Sequence, residues 1–428
     1  MRQMKDSGVE WVGKIPDSWT ISRFRYLGTW TSGATPSKAQ ASYWDGGTNW
    51  VSSREVKGDF LTATSFQISD TAVQASNLRK WDPGTLVMVT RSGILQHTIP
   101  VALLAVGATI NQDVKAFSPS GVATATFVKY FIKGLNDLLL TLSTKGKTTV
   151  DSLDSQLLND VPVPLPPIFE QQRIADFLGA KTAEIDSLRS RLERQIEVLE
   201  SYKRSVITEA VTRGLDSSVP MKDSEIPWIS KIPTHWDVRP VYFLFYERKT
   251  PNVFGLERNL LSLSYGKIIR KDINNRSGLL PANFNGYNVI QPNDIVLRFT
   301  DLQNDKRSLR TGLSNERGII TSAYVTISSR PGQFAPYHHY LLHAYDAMKV
   351  FYNMGNGVRQ SLNFNEFSKA PLLVPPLVEQ RRIAAYLDEK VSAVDEIISL
   401  KQEQLTKLAD YKKSLIFEYV TGKKEVPA

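Results

Sequence analysis

The stretch "PPIFEQQRIADFLGAKTAEID" at 166–186 returns as "PPLVEQRRIAAYLDEKVSAVD" at 375–395, in register throughout, since 375 − 166 and 395 − 186 both give 209. An internal repeat constrains the architecture before any single residue does. Identities continue through Glu170/Glu379, Gln171/Gln380, Ile174/Ile383, Leu178/Leu387, Lys181/Lys390, Leu199/Leu408, Tyr202/Tyr411, Lys203/Lys412, Ser205/Ser414, Glu209/Glu418 and Thr212/Thr421. A second echo lies upstream of each copy, where "KDSGVEWVGKIPDSW" (5–19) matches "KDSEIPWISKIPTHW" (222–236). The chain therefore reads A, B, C, A, B′, C′. The B segments, at 28–165 and 245–374, are nearly equal in length and show no obvious likeness. Similar frames with dissimilar contents suggest two variable readers on one scaffold.

The C segments predict long helices. Proline ends the preceding chain at Pro166-Pro167 and Pro375-Pro376, and over the roughly 45 residues after each pair only Gly179 interrupts the pattern. Apolar residues recur at 3,4 spacing, as Ile185, Leu188, Leu192, Leu199, Tyr202 and Val206, then Val394, Ile397, Leu408, Tyr411 and Leu415. That stripe predicts a coiled-coil seam, broken by Gln195, Lys401 and Gln404. Each helix would run roughly 65 Å, too long to hide in a small domain, so an exposed spacer that docks partners is expected. "RGLDSSVPMKDS" (213–224) reads as the linker between halves.

The B segments predict mixed α/β domains. "TLVMVT" (85–90), "DIVLRFT" (294–300) and "AYVTIS" (323–328) read as strands bounded by turn signals, and 125–142 and 337–353 as helices. Their loops collect hydroxyls, amides and cations. The first offers Thr35, Ser37 and Lys38; Ser52, Ser53 and Arg54; Arg91, Ser92 and His97; Asn111 and Gln112; Lys145 and Lys147. The second offers Tyr265, Lys267, Arg270, Lys271, Arg298, Thr300, Arg307, Arg310, Arg359 and Gln360. Arg and Lys grip phosphate or the O6/N7 edge of guanine, and Asn and Gln pair with adenine, so these sets are candidate DNA contacts. Any one of them reads equally as a solvated cation or a turn amide; the sets carry the weight. A surplus of 52 Lys and Arg over 43 Asp and Glu, a net charge of +9, suits a polyanion.

Other chemistries lack their residues. With no cysteine there is no disulfide framework, thiolate metal site or cysteine nucleophile. "TLSTKGKT" ends like a phosphate-binding loop but has Thr141 where the first glycine belongs. His339 and His343 are spaced i, i+4, yet Tyr340 follows where a zinc protease has Glu, and no carboxylate set completes a site. Gly355-Asn356-Gly357 fits a tight turn better than a dinucleotide loop. No Asn-Pro-Pro-aromatic run of an amino-methyltransferase is present. No apolar run reaches membrane-spanning length and the opening residues lack a signal-peptide pattern, so the expected compartment is the cytoplasm.

The combination "PLPPIFEQQRIADFL", "YKRSVITEAVTRGL", "MKDSEIPWISKIPTHW" and "VPPLVEQRRIAAYL" resembles the specificity (S) subunit of type I restriction-modification systems, over essentially the whole chain. "TSGATPSKAQASYWDGGTNWVSSREVKG" resembles the opening of a target-recognition domain of that family, and "GNGVRQSLNFNEFSKAPLLVPPL" the close of one. The resemblance implies an α+β fold in which two mixed α/β target-recognition domains are separated by two long antiparallel coiled-coil helices, with an internal pseudo-two-fold repeat. The expected layout is a first recognition domain at 1–165, a spacer helix at 166–213, a linker at 214–221, a second recognition domain at 222–374 and a second spacer helix at 375–421. It implies a non-catalytic subunit reading a bipartite, asymmetric target in double-stranded DNA. Its partners would be two modification subunits, which bind S-adenosylmethionine and methylate adenine, and restriction subunits, which use ATP and Mg²⁺ to translocate and cut DNA; this chain itself would bind no cofactor and no metal. Candidate partner contacts on the helices are Gln171, Arg173, Gln195, Tyr202, Lys203, Gln380, Arg382, Gln404, Tyr411 and Lys412. Two rivals predict otherwise: the recognition segment of a fused restriction-methylation enzyme would transfer methyl groups alone, and a coiled-coil structural protein would bind no sequence.

Overall fold

The computed structural model describes residues 2–143, 151–274, 281, 283–300, 302, 309–354 and 361–427. The chain divides into two compact units, Met1–Leu192 with Gln402–Ala428, and Glu193–Lys401. Neither unit coincides with one half of the repeat: the second is a continuous stretch and the first is not, and each takes the start of one long helix and the end of the other.

In the first unit a five-stranded sheet runs in the order Gly28–Ser32, Val114–Pro119, Leu86–Val89, Val101–Leu104, Phe60–Leu61, antiparallel except at the last pair. Its central strand, Leu86–Val89, is buried on both faces, which is why it reads as an unbroken apolar run. Leu86 and Met88 pack with the helix Ala125–Gly134, while Val87 and Val89 pack with Val51, Ile110 and Ala116. A smaller sheet pairs Ala108–Ile110, Thr48–Val51 and Phe66–Ile68, in that order. The helix expected over 125–142 is two helices, Ala125–Gly134 and Asn136–Ser143. The break has local causes. Gly134 lies where a Cβ would stand 3.0 Å from Ile416, and the Asn136 side-chain oxygen accepts from the Ile99 amide at 2.7 Å.

The second unit repeats this plan with different residues. Phe245–Glu247, Val325–Ser329, Ile295–Leu297 and Thr311–Leu313 form an antiparallel sheet in the same spatial order as the first four strands above. The helix Ala335–Ala347 follows, giving way to a short 3₁₀ turn at Val350–Asn353 within the helix expected to 353. Where the first unit pairs Thr48–Val51 with Ala108–Ile110 in parallel, the second makes one parallel bridge, Leu260 to Ile319. The segments without visible likeness in sequence thus share a topology.

The long helices are Ile168–Arg213 and Leu377–Val420. Within the first unit they run antiparallel, with Phe177 against Tyr419 (ring centroids 4.6 Å apart) and Asp186 bonded to Lys412 at 2.7 Å. Within the second, Gln195 meets Lys401 at 2.8 Å and Lys203 meets Asp395 at 2.6 Å. Asp186–Lys412 and Lys203–Asp395 are one ion pair made twice, since 395 − 186 and 412 − 203 both give 209. The seam differs from the expected one in phase. Ile185, Leu192, Leu199 and Val206 are at least partly buried, but the alternating positions are Ile196 and Lys203, not Leu188 and Tyr202. Leu188, Tyr202, Ile397 and Tyr411 are exposed, the two tyrosines by 50% and 54%. The lysine stems cover the seam while their ammonium groups reach carboxylates across it.

Candidate nucleic-acid interface

Three strand ends deliver three turns to one rim of the first unit. Beyond Thr48–Val51 the chain turns at Ser52, held by Ser52 N–H donating to Glu55 Oε2 at 3.0 Å. Beyond Leu86–Val89, Ser92 N–H donates to the Asp151 carbonyl and Ser92 Oγ caps the turn Gly93–Gln96. Beyond Ala108–Ile110, Asn111 donates its amide to Val51 O, and its side-chain oxygen accepts from Asp113 N–H at 3.1 Å. A fourth segment enters over Gly33, where a Cβ would fall 1.7 Å from Ile110 O, so only glycine lets the chain pass. It carries Thr35, whose hydroxyl donates to Gln112 Oε1 at 2.6 Å.

Together these segments enclose an open cleft of about 710 Å³. Thr35, Lys38, Arg54, Arg91, Ser92, Asn111 and Gln112, all singled out from sequence, line it together with Ser52 and Ser53. Trp50 and Phe66 form its apolar wall, with Trp50 Nε1 donating to Ala34 O at 3.1 Å. Neither aromatic was anticipated; Trp50 stands two residues before Ser52, and its signal was its place at the end of a strand feeding a polar turn. Lys38, Arg54 and Arg91 are exposed and have no ion-pair partner among the described residues. The one lining carboxylate, Asp113, accepts from Asn111 Nδ2 at 3.3 Å. The cleft is cationic, rich in donors and acceptors, and has a flat aromatic wall.

The other candidates distribute differently. His97 is exposed at the end of the Gly93–Gln96 turn, outside the cleft lining. Lys145, Lys147, Arg307, Arg359 and Gln360 lie outside the described residues. In the second unit Tyr265 stands at the tip of a hairpin with φ 45°, Lys267 pairs with Asp395 at 3.0 Å, Arg270 pairs with Glu316 at 2.6 Å, and Lys271 is exposed. Arg310 requires correction as a DNA contact: it is wholly buried, with Nη1 donating to Arg298 O at 3.2 Å and Thr300 O at 2.9 Å, so it holds up the strand end that carries those two residues.

Several presumed partner contacts are also intramolecular. Gln171 is buried, its Nε2 donating to Val122 O and Pro166 O and its Oε1 accepting from Thr124 N–H; Gln380 is buried and donates to Pro375 O. Gln171 thereby ties its helix start to the loop Val122–Thr124, whereas the Gln380 bond stays within its own helix start. Gln195, Lys203 and Lys412 are engaged across the helix pair. Arg173 lies 3.5 Å from the Val426 and Pro427 carbonyls, while Arg382 and Gln404 are exposed. Sequence reasoning missed Glu170 and Glu379. Glu170 pairs with Arg2 at 2.6 Å, and Glu379 accepts from Trp236 Nε1 at 3.1 Å, so each joins an A segment to a C helix. Among the described residues no helix is long and apolar enough to cross a membrane, and no group of three or more His, Asp or Glu side chains is arranged to hold a metal ion.

Two dissimilar α/β modules in duplicated helical frames define a class of protein, and comparison with known proteins agrees with it. Residues 16–198 match the type I restriction modification DNA specificity domain. The chain is 31% identical over 173 residues to the EcoR124I/EcoR124II specificity subunit of Escherichia coli, covering 40% of this chain and 43% of that one. It thus spans less than half of that relative's length. It is 22% identical over 443 residues to the MjaVIII specificity subunit of Methanocaldococcus jannaschii, covering 96% and 94%. In fold it is similar to a solved chain described under complex assembly and conformational transition of the type I restriction-modification system, with TM-score 0.69, 16% identity, and coverage of 96% and 99%. Residues 16–198 thus carry the signature of a type I restriction modification DNA specificity domain, and the chain as a whole is similar to type I restriction enzyme specificity subunits.

Proposed function

We propose that this chain is the non-catalytic sequence reader of a type I restriction-modification complex in the cytoplasm, recognising a bipartite, asymmetric target in double-stranded DNA. The observation that carries the reading is the first-unit cleft, where ten polar or charged residues from four separate stretches converge and three of them are cations without an ion-pair partner among the described residues. Arg and Lys supply phosphate and guanine contacts, Asn and Gln the adenine edge, and the donor and acceptor turns fix register. In the second unit, Tyr265, Lys271 and the segment bearing Arg298 and Thr300 serve the other half-site. Two modification subunits dock on the helix pairs, one per unit, where the repeat presents Leu188 with Tyr411 and Ile397 with Tyr202 to solvent. Adenine methylation with S-adenosylmethionine, and ATP- and Mg²⁺-dependent restriction, belong to the partner subunits.

Footprinting the chain with its modification subunit against random-sequence competitor tests this. Two protected blocks separated by an unread spacer are expected. Methyl transfer by the isolated chain, or protection that random DNA abolishes, would overturn it.

A further inference from the structure

The second unit presents an apolar projection at the topological position of the segment that lines the first unit's cleft. The connection between Gly28–Ser32 and Thr48–Val51 carries Thr35 and Lys38 into that cleft. Its counterpart, between Phe245–Glu247 and Leu261–Ser264, instead holds "NVFGLE", in which Phe254 and Leu256 are each 83% exposed. The loop is built, not slack. Asn252 is buried, with Nδ2 donating to Glu257 O at 3.0 Å and Oδ1 accepting from Glu257 N–H at 3.1 Å, so one side chain closes the loop at both ends. Gly255 N–H donates to Asn252 O at 2.9 Å, a tight turn with Val253 and Phe254 at its corners, and Gly255 takes φ 60°. Glu257 is fixed in turn by Arg317 Nε at 2.9 Å. Turn corners favour Gly, Pro, Asn, Asp and Ser, and two large apolar side chains held in water by a closed hydrogen-bonded frame stabilise nothing within the fold. Arg258, two residues after Leu256, and Lys271, whose N–H donates to Leu260 O at 2.8 Å, are exposed and have no ion-pair partner among the described residues.

Rigid Phe and Leu side chains flanked by Arg and Lys match the chemistry of an unstacking wedge: the apolar groups enter between base steps while the cations hold the phosphates on either side. We infer that Phe254 and Leu256 insert into the second half-site and unstack a single base step, so that this unit reads deformability as well as base edges. The inference rests on the DNA-reading function proposed above.

The test uses the full chain with its modification subunit and a duplex containing its methylated sequence, with 2-aminopurine replacing adenines one at a time in both half-sites. Fluorescence is expected to rise on binding at one step of one half-site, away from the adenine that is methylated. Replacing Phe254→Ala and Leu256→Ala together should abolish that rise and weaken specific binding roughly 10- to 100-fold, leaving melting and assembly unchanged. Asn252→Ala, which keeps both apolar groups but opens the loop, should diminish the rise and weaken binding by a smaller factor. Specific binding with no such rise overturns the wedge alone, as does a double variant that reads DNA like the parent but no longer assembles with the modification subunit. Absence of specific binding by the parent overturns the reader and the wedge together.

Discussion

At the same place in the two units, one carries a pair of lysines and the other a pair of histidines. Counting from the first residue of the helices Ala125–Gly134 and Ala335–Ala347, Lys129 and His339 are both fifth, and Lys133 and His343 both ninth. In the first unit Asp59 bridges the lysines, with Lys129 Nζ at 3.3 Å, and their ammonium groups hold its carboxyl below the usual range despite burial that pushes it up. Burial lowers both lysines against the attraction of Asp59. In the second unit burial dominates, and the carboxylates that oppose it, Asp388 at His339 and Asp395 at His343, come from the helix Leu377–Val420. Burial depresses His339 to about 4 and His343 to about 3, and the neighbouring His338 to about 4. The repeat preserves backbone and frame while each interior solves its polar burial separately. The connecting loops are then free to differ as well, as a donor-lined cleft in one unit and an apolar projection in the other.

The largest expected effect tests whether the frames are interchangeable. Residues 203, 207, 211 and 212 are Lys, Ile, Val and Thr, and so are 412, 416, 420 and 421. Two copies of residues 1–215 should therefore pair by each supplying the helix end that the other lacks, and with the modification subunit they should methylate an interrupted palindrome. A monomer under all conditions would break the equivalence; loss of the Phe177–Tyr419 contact, since Ala210 stands where Tyr419 does, is the expected weak point.

Acid should separate the interiors. Histidines whose folded pKa lies below the unfolded value near 6.5 contribute stability that is complete above that pH and is lost as pH falls towards 4 and 3. Each contributes up to about 1.4 kcal/mol per pH unit across that window, less for the partly exposed His339 and His343. The first unit's lysines stay charged there, and Asp59, lowered from 3.8, releases its contribution only below that value. Hydrogen exchange between pH 6.5 and 4 should show the second unit loosening first. Simultaneous loosening would contradict the assignment.

Two arginines then separate scaffold from surface. Arg310→Ala removes donors to two strand-end carbonyls and should lower stability by about 2–4 kcal/mol in a denaturant titration. Arg91→Ala should leave the melt unchanged and cost about 1–3 kcal/mol of binding at one half-site, read by anisotropy with half-site variants. The smallest effect is expected at the repeated ion pair. Lys203→Met and Lys412→Met should each cost about 0–1 kcal/mol, by similar amounts, because both pairs are partly solvated.

How much of this was legible in the sequence follows from where each signal is encoded. The helices and the A–C frame are written locally, in Pro-Pro stops, apolar periodicity and repeated letters. The first cleft was legible because its residues cluster in short Gly- and Ser-rich turns, though their convergence depends on strand order. The shared topology of the B segments was not legible, since three- to six-residue strands of different composition carry the same pairing. Arg310 misled because the carbonyls that neutralise its burial come from Arg298 and Thr300 across a hairpin. The seam misled because Leu188 and Tyr202 fit 3,4 spacing as well as Ile196 and Lys203 do, and only the facing Asp395 decides that the lysine turns inward.

Sequencing of methylated adenines in cells carrying the chain and its modification subunit, beside the same cells carrying Gln112→Ala, tests most directly the claim that two unlike readers share one frame. Two half-sites with different letters around an unread spacer are expected, with letters relaxed in one half only when Gln112 is changed. A single uninterrupted motif, or letters that change in both halves, would contradict it.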